Sequence, residues 1–217
     1  MTTKPNFSLI ALISTMLLIA AILLTTGLSS AQADAFIPGE WIKWNANPIF
    51  NNAPSGTWDD NYNFAPSVIL DGNTYKMWYA ASSLTNPSRK IGYATSPDGL
   101  AWTRQGSNPV LTPGITDSWD SQQVSFPSVL KEGATYKMWY SGLNDFNNVQ
   151  IGYATSVDGI NWTKYASNPV LTAGIGNSWD LDYVGSPTVI KVGSQYQMWY
   201  RGGSGGGIGY ATSPDGI

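Results

Sequence analysis

Residues 136–141, Tyr-Lys-Met-Trp-Tyr-Ser, and residues 151–156, Ile-Gly-Tyr-Ala-Thr-Ser, decide the fold because both stretches recur. Met-Trp-Tyr has further copies at 77–79 and 198–200, and Ile-Gly-Tyr-Ala-Thr-Ser has further copies at 91–96 and 208–213. Asn-Pro and Trp-Asp pairs precede each copy, at offsets of 61 and 60 residues along the chain. The chain is therefore a tandem array of one repeated unit.

Each unit reads as four short strands separated by tight turns. In the middle copy the predicted strands are Val124–Leu130, Tyr136–Ser141, Ile151–Ser156 and Trp162–Leu171. Gly133 and the pair Asp158-Gly159 lie between strands, where glycine permits the positive φ of a tight hairpin. Repeated units of four antiparallel strands predict an all-β fold, a β-propeller built of four-stranded blades.

The strand pattern favours blades that stack against one another. Tyr136, Met138 and Tyr140 face one side of their strand, while Trp139 faces the other, so both sides carry bulky groups. A sheet with one solvated side would alternate between apolar and polar residues instead. A solenoid or a β-sandwich is the alternative architecture.

The predicted repeats cover about 38–99, 100–159 and 160–217, which makes three blades. Closed propellers have about four to eight blades, so three are too few for a ring. Residues 41–49 match 102–110, and we expect this first stretch to be an outer strand able to complete the last blade. We therefore expect a piece of a longer protein, with chains that associate to close the ring as the alternative.

The first 33 residues are predicted to be a signal peptide. Lys4 precedes an apolar stretch from Leu9 to Leu24, and the small-residue pattern Ala31-Gln32-Ala33 follows as a cleavage site. An uncleaved membrane anchor is the alternative, because the apolar stretch is long. Residues 34–217 are expected to be secreted, whether extracellular, periplasmic or anchored at the cell surface.

Composition excludes several classes of chemistry. The chain has no cysteine and no histidine, which excludes disulfides, thiolate metal sites and histidine-dependent catalysis. After Ala33 there are ten basic and fourteen acidic residues, a net charge of −4 that disfavours nucleic acid or an anionic membrane as a partner. No residues have the spacing of a metal site, so we predict no cofactor; calcium held by scattered oxygen ligands is left open.

The motif Pro-Ser-Val at 66–68 and 127–129, followed by Tyr-Lys-Met-Trp-Tyr and then by Ile-Gly-Tyr-Ala-Thr-Ser-x-Asp-Gly, resembles a known blade motif. It is similar to the blades of the five-bladed propeller glycoside hydrolases. These include arabinanases and xylosidases of family 43, invertases and fructanases of family 32, and related mannoside phosphorylases. The resemblance implies a fragment of a five-bladed propeller, an oligo- or polysaccharide partner and, if the protein is active, hydrolysis of O-glycosidic bonds.

The same resemblance places catalytic acids one or two residues before the proline of an inner strand. The matching positions here are 64–65, 125–126 and 185–186, and none of them is acidic. Two functions therefore stay open. The first is a secreted glycoside hydrolase-like propeller that acts on or binds extracellular carbohydrate, and the second is a non-catalytic propeller that binds glycans or surface partners.

Asp60 and Asp182 are the candidate catalytic acids, because they lie just before inner strands and a glycosidase needs a carboxylate pair. The alternative is that both are solvated charges at the ends of loops. The candidate substrate-binding residues are aromatic or cationic groups near the same strands: Tyr62, Phe64, Phe126, Tyr183 and Arg201. Phe126 is alternatively a plug of the central channel, and Arg201 a surface residue.

The acids repeated in every unit are predicted to be structural. Asp98, Asp158 and Asp215 lie in Ser-x-Asp-Gly, and Asp59, Asp120 and Asp180 follow a tryptophan. Aspartates in such turns commonly accept hydrogen bonds from nearby backbone N–H groups, and we expect that role for both sets.

Overall fold

The structure is a computed structural model that describes residues 41–106, 108–203 and 205–217. The chain divides into two compact units, 1–45 and 46–217. The second unit contains all three repeats, except for the first few residues of the first repeat. The predicted signal peptide lies outside the described residues. Within the described part, no helix is long and apolar enough to cross a membrane.

The described chain is all-β and confirms the predicted blades. Its strands form one antiparallel sheet per repeat, and sequence neighbours pair within each sheet. The first blade contains β1 (Tyr62–Asp71), β2 (Thr74–Ser82), β3 (Lys90–Ser96) and β4 (Thr103–Arg104). The second contains β5 (Gln123–Glu132), β6 (Thr135–Leu143), β7 (Val149–Ser156) and β8 (Thr163–Lys164), and the third contains β9 (Val184–Val192), β10 (Gln195–Gly202) and β11 (Ile208–Ser213).

The long outer strands predicted from the sequence are wrong. In place of a strand over Trp162–Leu171, only β8 pairs with β7, and an isolated bridge joins Ile151 to Leu171. The side chain of Asn168 explains the interruption, because its Oδ1 accepts from Tyr153 N at 2.8 Å and its Nδ2 donates to Tyr153 O at 2.9 Å. A side-chain amide here makes the bonds that a strand backbone would make. Residues 41–49, predicted as an outer strand, form none.

The inner strands β1, β5 and β9 lie side by side at the centre of the array. Val129 N donates to Ser67 Oγ at 3.0 Å, and Val189 N donates to Ser128 Oγ at 3.0 Å, so both junctions repeat one contact. The repetition follows from the sequence, since Ser67 and Ser128 occupy the same place in consecutive units.

Tryptophans fill the space between blades. The indole Nε1 of Trp78 donates to Gly159 O at 2.8 Å, and that of Trp139 donates to Gly216 O at 2.7 Å. Both side chains are fully buried. We call the side of a blade that presents this tryptophan its tryptophan face, and the side that receives it the socket face. Burial on both sides of the middle blade agrees with the pattern of its sequence.

An ionic clamp closes each junction near its tryptophan. At the first junction Asp71 accepts from Lys76 Nζ at 2.7 Å and also from Lys131 and Tyr136. At the second junction Glu132 accepts from Tyr196 OH at 2.5 Å and is 2.9 Å from both Lys137 Nζ and Lys191 Nζ. Each carboxylate therefore joins its own blade to the next.

The repeated Ser-x-Asp-Gly turns have the predicted structural role. Asp158 Oδ1 accepts from Ile160 N and from Asn161 N, both at 2.8 Å. These backbone bonds and the Asn161 side chain lower the pKa of Asp158 well below its usual range. Asp98 makes the same two backbone bonds in the first blade, and Asp215 bonds to Ile217 N in the third.

The aspartates of the Trp-Asp pairs do not cap turns as predicted. Asp120 is 2% exposed and accepts from Lys164 Nζ at 2.6 Å and from Tyr140 OH at 3.3 Å. Burial, and then the charge of Asp120, raise the pKa of Tyr140. A buried carboxylate needs such partners, because its desolvation is costly without them. Asp59, through Arg104 and Tyr79, and Asp120 therefore tie the outer part of their blades to the second strand.

Candidate functional site

A shallow opening lies where the three inner strands meet, and we call it the axial depression. It has a volume of about 210 Å³ and is lined by Thr188 and by three pairs, Ala65-Pro66, Phe126-Pro127 and Ser186-Pro187. Each pair occupies the same position in its repeat. The resemblance to glycosidases places catalytic acids at 64–65, 125–126 or 185–186, and the second residue of each of these pairs lines the opening. This opening is therefore the place at which to look for the site.

The residue before each proline has an unusual backbone conformation. Ala65, Phe126 and Ser186 have φ angles of 49°, 51° and 52°, in the left-handed region that residues with a Cβ seldom adopt. The pairing with the second strand shifts register at the same place in every blade. Such bulges bend a strand and redirect its side chains. Three equivalent bulges therefore turn one residue from each blade into the depression.

The depression contains no carboxylate among its lining residues. Its polar groups are the backbone, the Ser186 hydroxyl and the Thr188 hydroxyl, and the rest of the lining is apolar. The Ser186 backbone is held in place, since its N–H donates to Ser141 Oγ at 2.8 Å. This lining suits contact with a neutral, partly apolar ligand surface and offers no acid or base for bond cleavage.

Asp60, one candidate acid, braces two loops. Its Oδ1 accepts from Leu84 N at 2.9 Å and its Oδ2 accepts from Gly56 N at 2.7 Å. The bond from Leu84, and then that from Gly56, lower the pKa of Asp60 below its usual value. An ionised carboxylate suits a base or a nucleophile, and it does not suit a proton donor. In the second blade Asp145 makes a similar brace from the opposite side, accepting from Ser121 Oγ at 2.8 Å.

Asp182, the other candidate acid, is exposed and precedes β9 by two residues. It has a φ of 64°, and its carbonyl accepts from Val149 N at 3.2 Å. Its carboxylate has no hydrogen-bond partner within the described ranges. Both candidate acids thus precede inner strands. Backbone N–H groups donate to the Asp60 carboxylate, whereas the Asp182 carboxylate is exposed and accessible to a ligand. Their catalytic role stays a prediction.

Two of the candidate aromatic residues contact each other, and one of them, Phe126, lines the depression. The rings of Phe64 and Phe126 lie 5.5 Å apart, edge to face. Arg89, which the sequence did not single out, lies with its guanidinium 5.3 Å from the Phe64 ring. Phe126 lines the depression itself, whether as a plug or as a contact surface. Arg89 lies between β2 and β3, in a segment whose sequence differs from repeat to repeat. That variation is the only feature of the sequence that points to Arg89.

Of the remaining candidates, Tyr183 and Arg201 contact each other. The guanidinium of Arg201 lies 4.7 Å from the ring of Tyr183, a cation–π contact. Tyr62 is 64% exposed and has no aromatic neighbour among the described residues. Neither Arg89 nor Arg201 forms an ion pair with a residue in the described part of the chain. The sites therefore offer aromatic faces with adjacent cations.

Known proteins with related sequences were compared with the chain. No family model matches it. An uncharacterized protein of Mycobacterium tuberculosis is 30% identical over 203 residues, which cover 88% of this chain and 65% of the mycobacterial protein. A β-1,2-mannobiose phosphorylase of Thermoanaerobacter is 29% identical over 114 residues, which cover 46% of this chain and 36% of the enzyme.

Solved structures with the same fold include glycoside hydrolases. A family 117 glycoside hydrolase of the marine bacterium Zobellia galactanivorans has a TM-score of 0.64 at 18% identity, covering 76% of this chain and 56% of that enzyme. A glycosyl hydrolase of Bacteroides ovatus has a TM-score of 0.61 at 23% identity, and the match covers 80% of this chain and 55% of that enzyme. The chain has the propeller fold of glycoside hydrolases. It spans just under two thirds of its mycobacterial relative and little more than half of these enzymes.

Proposed function

We propose that these blades form a carbohydrate-binding surface of a secreted propeller that binds extracellular oligo- or polysaccharide. The observation that carries the proposal is the axial depression, which has Phe126 in its lining, with the Phe64 ring against Phe126, and no carboxylate. Ligand sites of this kind are mostly apolar, with a few polar groups that fix orientation. A sugar ring presents one apolar face and several hydroxyls, which match that description.

The cations support the same proposal. Arg89 and Arg201 lie against aromatic rings and have no ionic partner among the described residues. An arginine fork can bond two oxygens at once, such as neighbouring sugar hydroxyls or a sugar carboxylate. In this proposal Phe64 and Phe126 contact the apolar face of a sugar unit, while Tyr183 and Arg201 contact another part of the chain of sugars.

Glycan binding is tested with the full protein by titration calorimetry against plant and microbial oligosaccharides. We expect Phe126→Ala to weaken the affinity at least about tenfold, a loss of about 1.4 kcal/mol. Val157→Ala is the control, since Val157 is 78% exposed in the Ser-x-Asp-Gly turn at the opposite end of the second blade, and we expect its affinity to equal that of the unmodified protein. Equal affinities for all three proteins would refute the proposed site.

Hydrolysis or phosphorolysis of a glycosidic bond is the second candidate, as the resemblance to the propeller glycoside hydrolases and mannoside phosphorylases suggested. It is favoured by Asp60, whose hydrogen bonds keep it ionised, together with the exposed Asp182. In this proposal Asp182 donates the proton and Asp60 acts as base or nucleophile, the division of roles that glycosidases require.

Release of sugar from aryl glycosides and polysaccharides, with and without phosphate, distinguishes the two functions. If the enzyme proposal holds, Asp182→Asn lowers kcat at least about a hundredfold, the usual contribution of a general acid. Asp117→Asn, at another loop aspartate with positive φ, serves as the control. Binding without any sugar release would favour the first proposal and contradict the second.

A further inference from the structure

The axial depression is too small to enclose a long carbohydrate. Its volume of about 210 Å³ is below the roughly 300–1,000 Å³ of sites that enclose a small ligand. A bound sugar chain therefore continues over the loops around the depression. In the first two blades the loops that follow the second strand are residues 83–89 and 144–148. In the third blade the corresponding segment, 203–207, has glycine at four of its five positions and offers a ligand almost no side chains.

Phe146 lies on the loop of the second blade, at the same end as the depression. β5 begins at Gln123 and β6 ends at Leu143, and these two residues are paired, so the loop after β6 lies beside the start of β5. Phe126 is three residues into β5 from that pair, and Phe146 is three residues beyond it. At about 3.3 Å per residue, the two phenylalanines are at most about 20 Å apart along the strand direction.

Side-chain hydrogen bonds tie this loop to the segment that leads into Phe126. Asp145 accepts from Ser121 Oγ at 2.8 Å and from the side-chain amide of Gln122. The loop of the first blade is tied to the same segment from the other side, since Ser88 Oγ donates to Gln122 O at 2.6 Å. All of these contacts lie within or between the first two blades. The surface is therefore continuous from the depression to the loop that carries Phe146.

The Phe146 side chain extends into solvent from a fixed backbone. It is 81% exposed, although its N–H donates to Asn144 Oδ1 at 3.0 Å and Asn148 N donates to the same oxygen at 3.0 Å. A phenyl ring buries a large apolar area when a ligand covers it, and a loop that is already ordered loses little conformational entropy on binding. Phe146 thus suits contact with a ligand that also fills the depression.

We propose that the carbohydrate is a chain of several sugar units, and that Phe146 binds a unit beyond the one in the axial depression. This inference rests on the proposed carbohydrate-binding function. The Phe126 ring contacts the unit in the depression, and the Phe146 ring contacts the apolar face of a later unit. The continuous surface between the two rings favours one extended ligand. The ligand class is therefore a polysaccharide or a long oligosaccharide, and not a mono- or disaccharide.

The length of the ligand is tested by titration calorimetry of the full protein, with competition titrations for weak ligands. The probes are arabino-, xylo- and manno-oligosaccharides, each from the monosaccharide to the hexasaccharide. In the series that binds, we expect the hexasaccharide to bind at least about tenfold more tightly than the disaccharide, because it also covers the Phe146 ring. Phe146→Ala is expected to lower the hexasaccharide affinity at least about fivefold and to leave the disaccharide affinity within about twofold. Phe126→Ala is expected to lower both affinities.

Two further variants separate ligand contact from a change in the fold. Phe146→Tyr keeps a ring at this position, and we expect it to bind the hexasaccharide within about twofold of the unmodified protein. Val157→Ala removes an apolar side chain that is 78% exposed at the opposite end of the second blade. We expect that variant to change neither affinity.

Equal affinities of the unmodified protein for the disaccharide and the hexasaccharide would overturn the inference and leave the proposed function intact. So would a Phe146→Ala protein that binds the hexasaccharide normally. If that variant instead loses binding to phosphatidylcholine vesicles, with its hexasaccharide affinity unchanged, the loop contacts a membrane and the inference is wrong. A protein that binds none of these oligosaccharides at any length contradicts the proposed function, and the inference with it.

Discussion

The two ends of the blades differ in how strictly the repeat is kept. At the end where the inner strands finish, the turns are Ser96-x-Asp98-Gly99 and its two equivalents, with the same hydrogen bonds. At the end where the inner strands begin, equivalent positions hold Phe64, Ser125 and Gly185, followed by Ala65, Phe126 and Ser186. The first end holds blades together, and the second varies around one opening. Repetition marks the scaffold, and departure from repetition marks the candidate site.

The largest test of this contrast compares a scaffold side chain with a site side chain. We expect Trp139→Ala to lower the free energy of unfolding by about 3–5 kcal/mol, because it empties a buried junction and removes the bond to Gly216 O. Urea denaturation followed by circular dichroism measures the change. Phe126→Ala, at the half-buried site position, is expected to cost less than half as much. Equal losses would remove the distinction between the two ends.

A pair of aspartates tests the same contrast at smaller scale. Asp158→Ala is expected to cost about 1–2 kcal/mol, the usual loss when a side chain that caps backbone N–H groups is removed. Asp182→Ala, at the exposed position without such bonds, is expected to stay within about 0.5 kcal/mol of the unmodified protein. Thermal unfolding of the two variants in parallel checks both values. A larger loss for Asp182→Ala would show that this end is scaffold as well.

The clamps at the scaffold end predict a dependence on pH. Partial burial acts to raise the pKa of Glu132, but the bonds from Lys137, Tyr196 and Lys191 outweigh it and lower the pKa to about 2. A lowered pKa stabilises the folded state above the unfolded value, and this contribution is lost as the pH falls through the folded value. The contribution is therefore complete above about pH 4.5, and it disappears toward about pH 2.

Glu132→Gln tests that dependence. The stability difference between the unmodified protein and the variant is expected to be constant near neutral pH and to shrink between about pH 4.5 and pH 2. Because the clamp is only partly buried, we expect a difference of at most about 1 kcal/mol. Urea midpoints at several pH values measure it. A difference that grows on acidification would contradict the assigned clamp.

The smallest effect is expected at the strained end. Ser186→Gly relieves a left-handed conformation that costs a residue with a Cβ about 1 kcal/mol, while glycine costs about half of that or more in chain entropy. We therefore expect stability to rise by no more than about 0.5 kcal/mol, measured by urea denaturation. A loss above 1 kcal/mol would mean that the Ser186 side chain, and not only its backbone, holds the bulge.

The sequence predicted the parts of the fold that depend on repetition. Three copies of Met-Trp-Tyr gave the blades, and Ser-x-Asp-Gly gave the turns. The outer strands were mispredicted because the amide of Asn168 replaces backbone pairing, a contact that periodicity does not reveal. The burial of Asp120 was missed for a related reason, since its partners Tyr140 and Lys164 are 20 and 44 residues away.

The candidate site was harder to predict than the fold. Phe64 and Phe126 were identified from their place before inner prolines, and the structure brings their rings together. Arg89 was missed because it lies in a segment that the repeat does not align. The positive φ of Ala65, Phe126 and Ser186 could not be predicted, because alanine, phenylalanine and serine carry no preference for it.

The ionic clamps at the blade junctions also restrict the order in which the blades can follow one another. The first junction joins Asp71 to Lys131, and the second joins Glu132 to Lys191. The equivalent positions are Leu70 on the socket face of the first blade and Val192 on the tryptophan face of the third. If the third blade were moved ahead of the second, Val192 would face a lysine that has lost its acid. The blades share one fold but are not interchangeable, because the charges on facing blades have to match. Any duplication or shuffling of them requires a compensating change on the facing module.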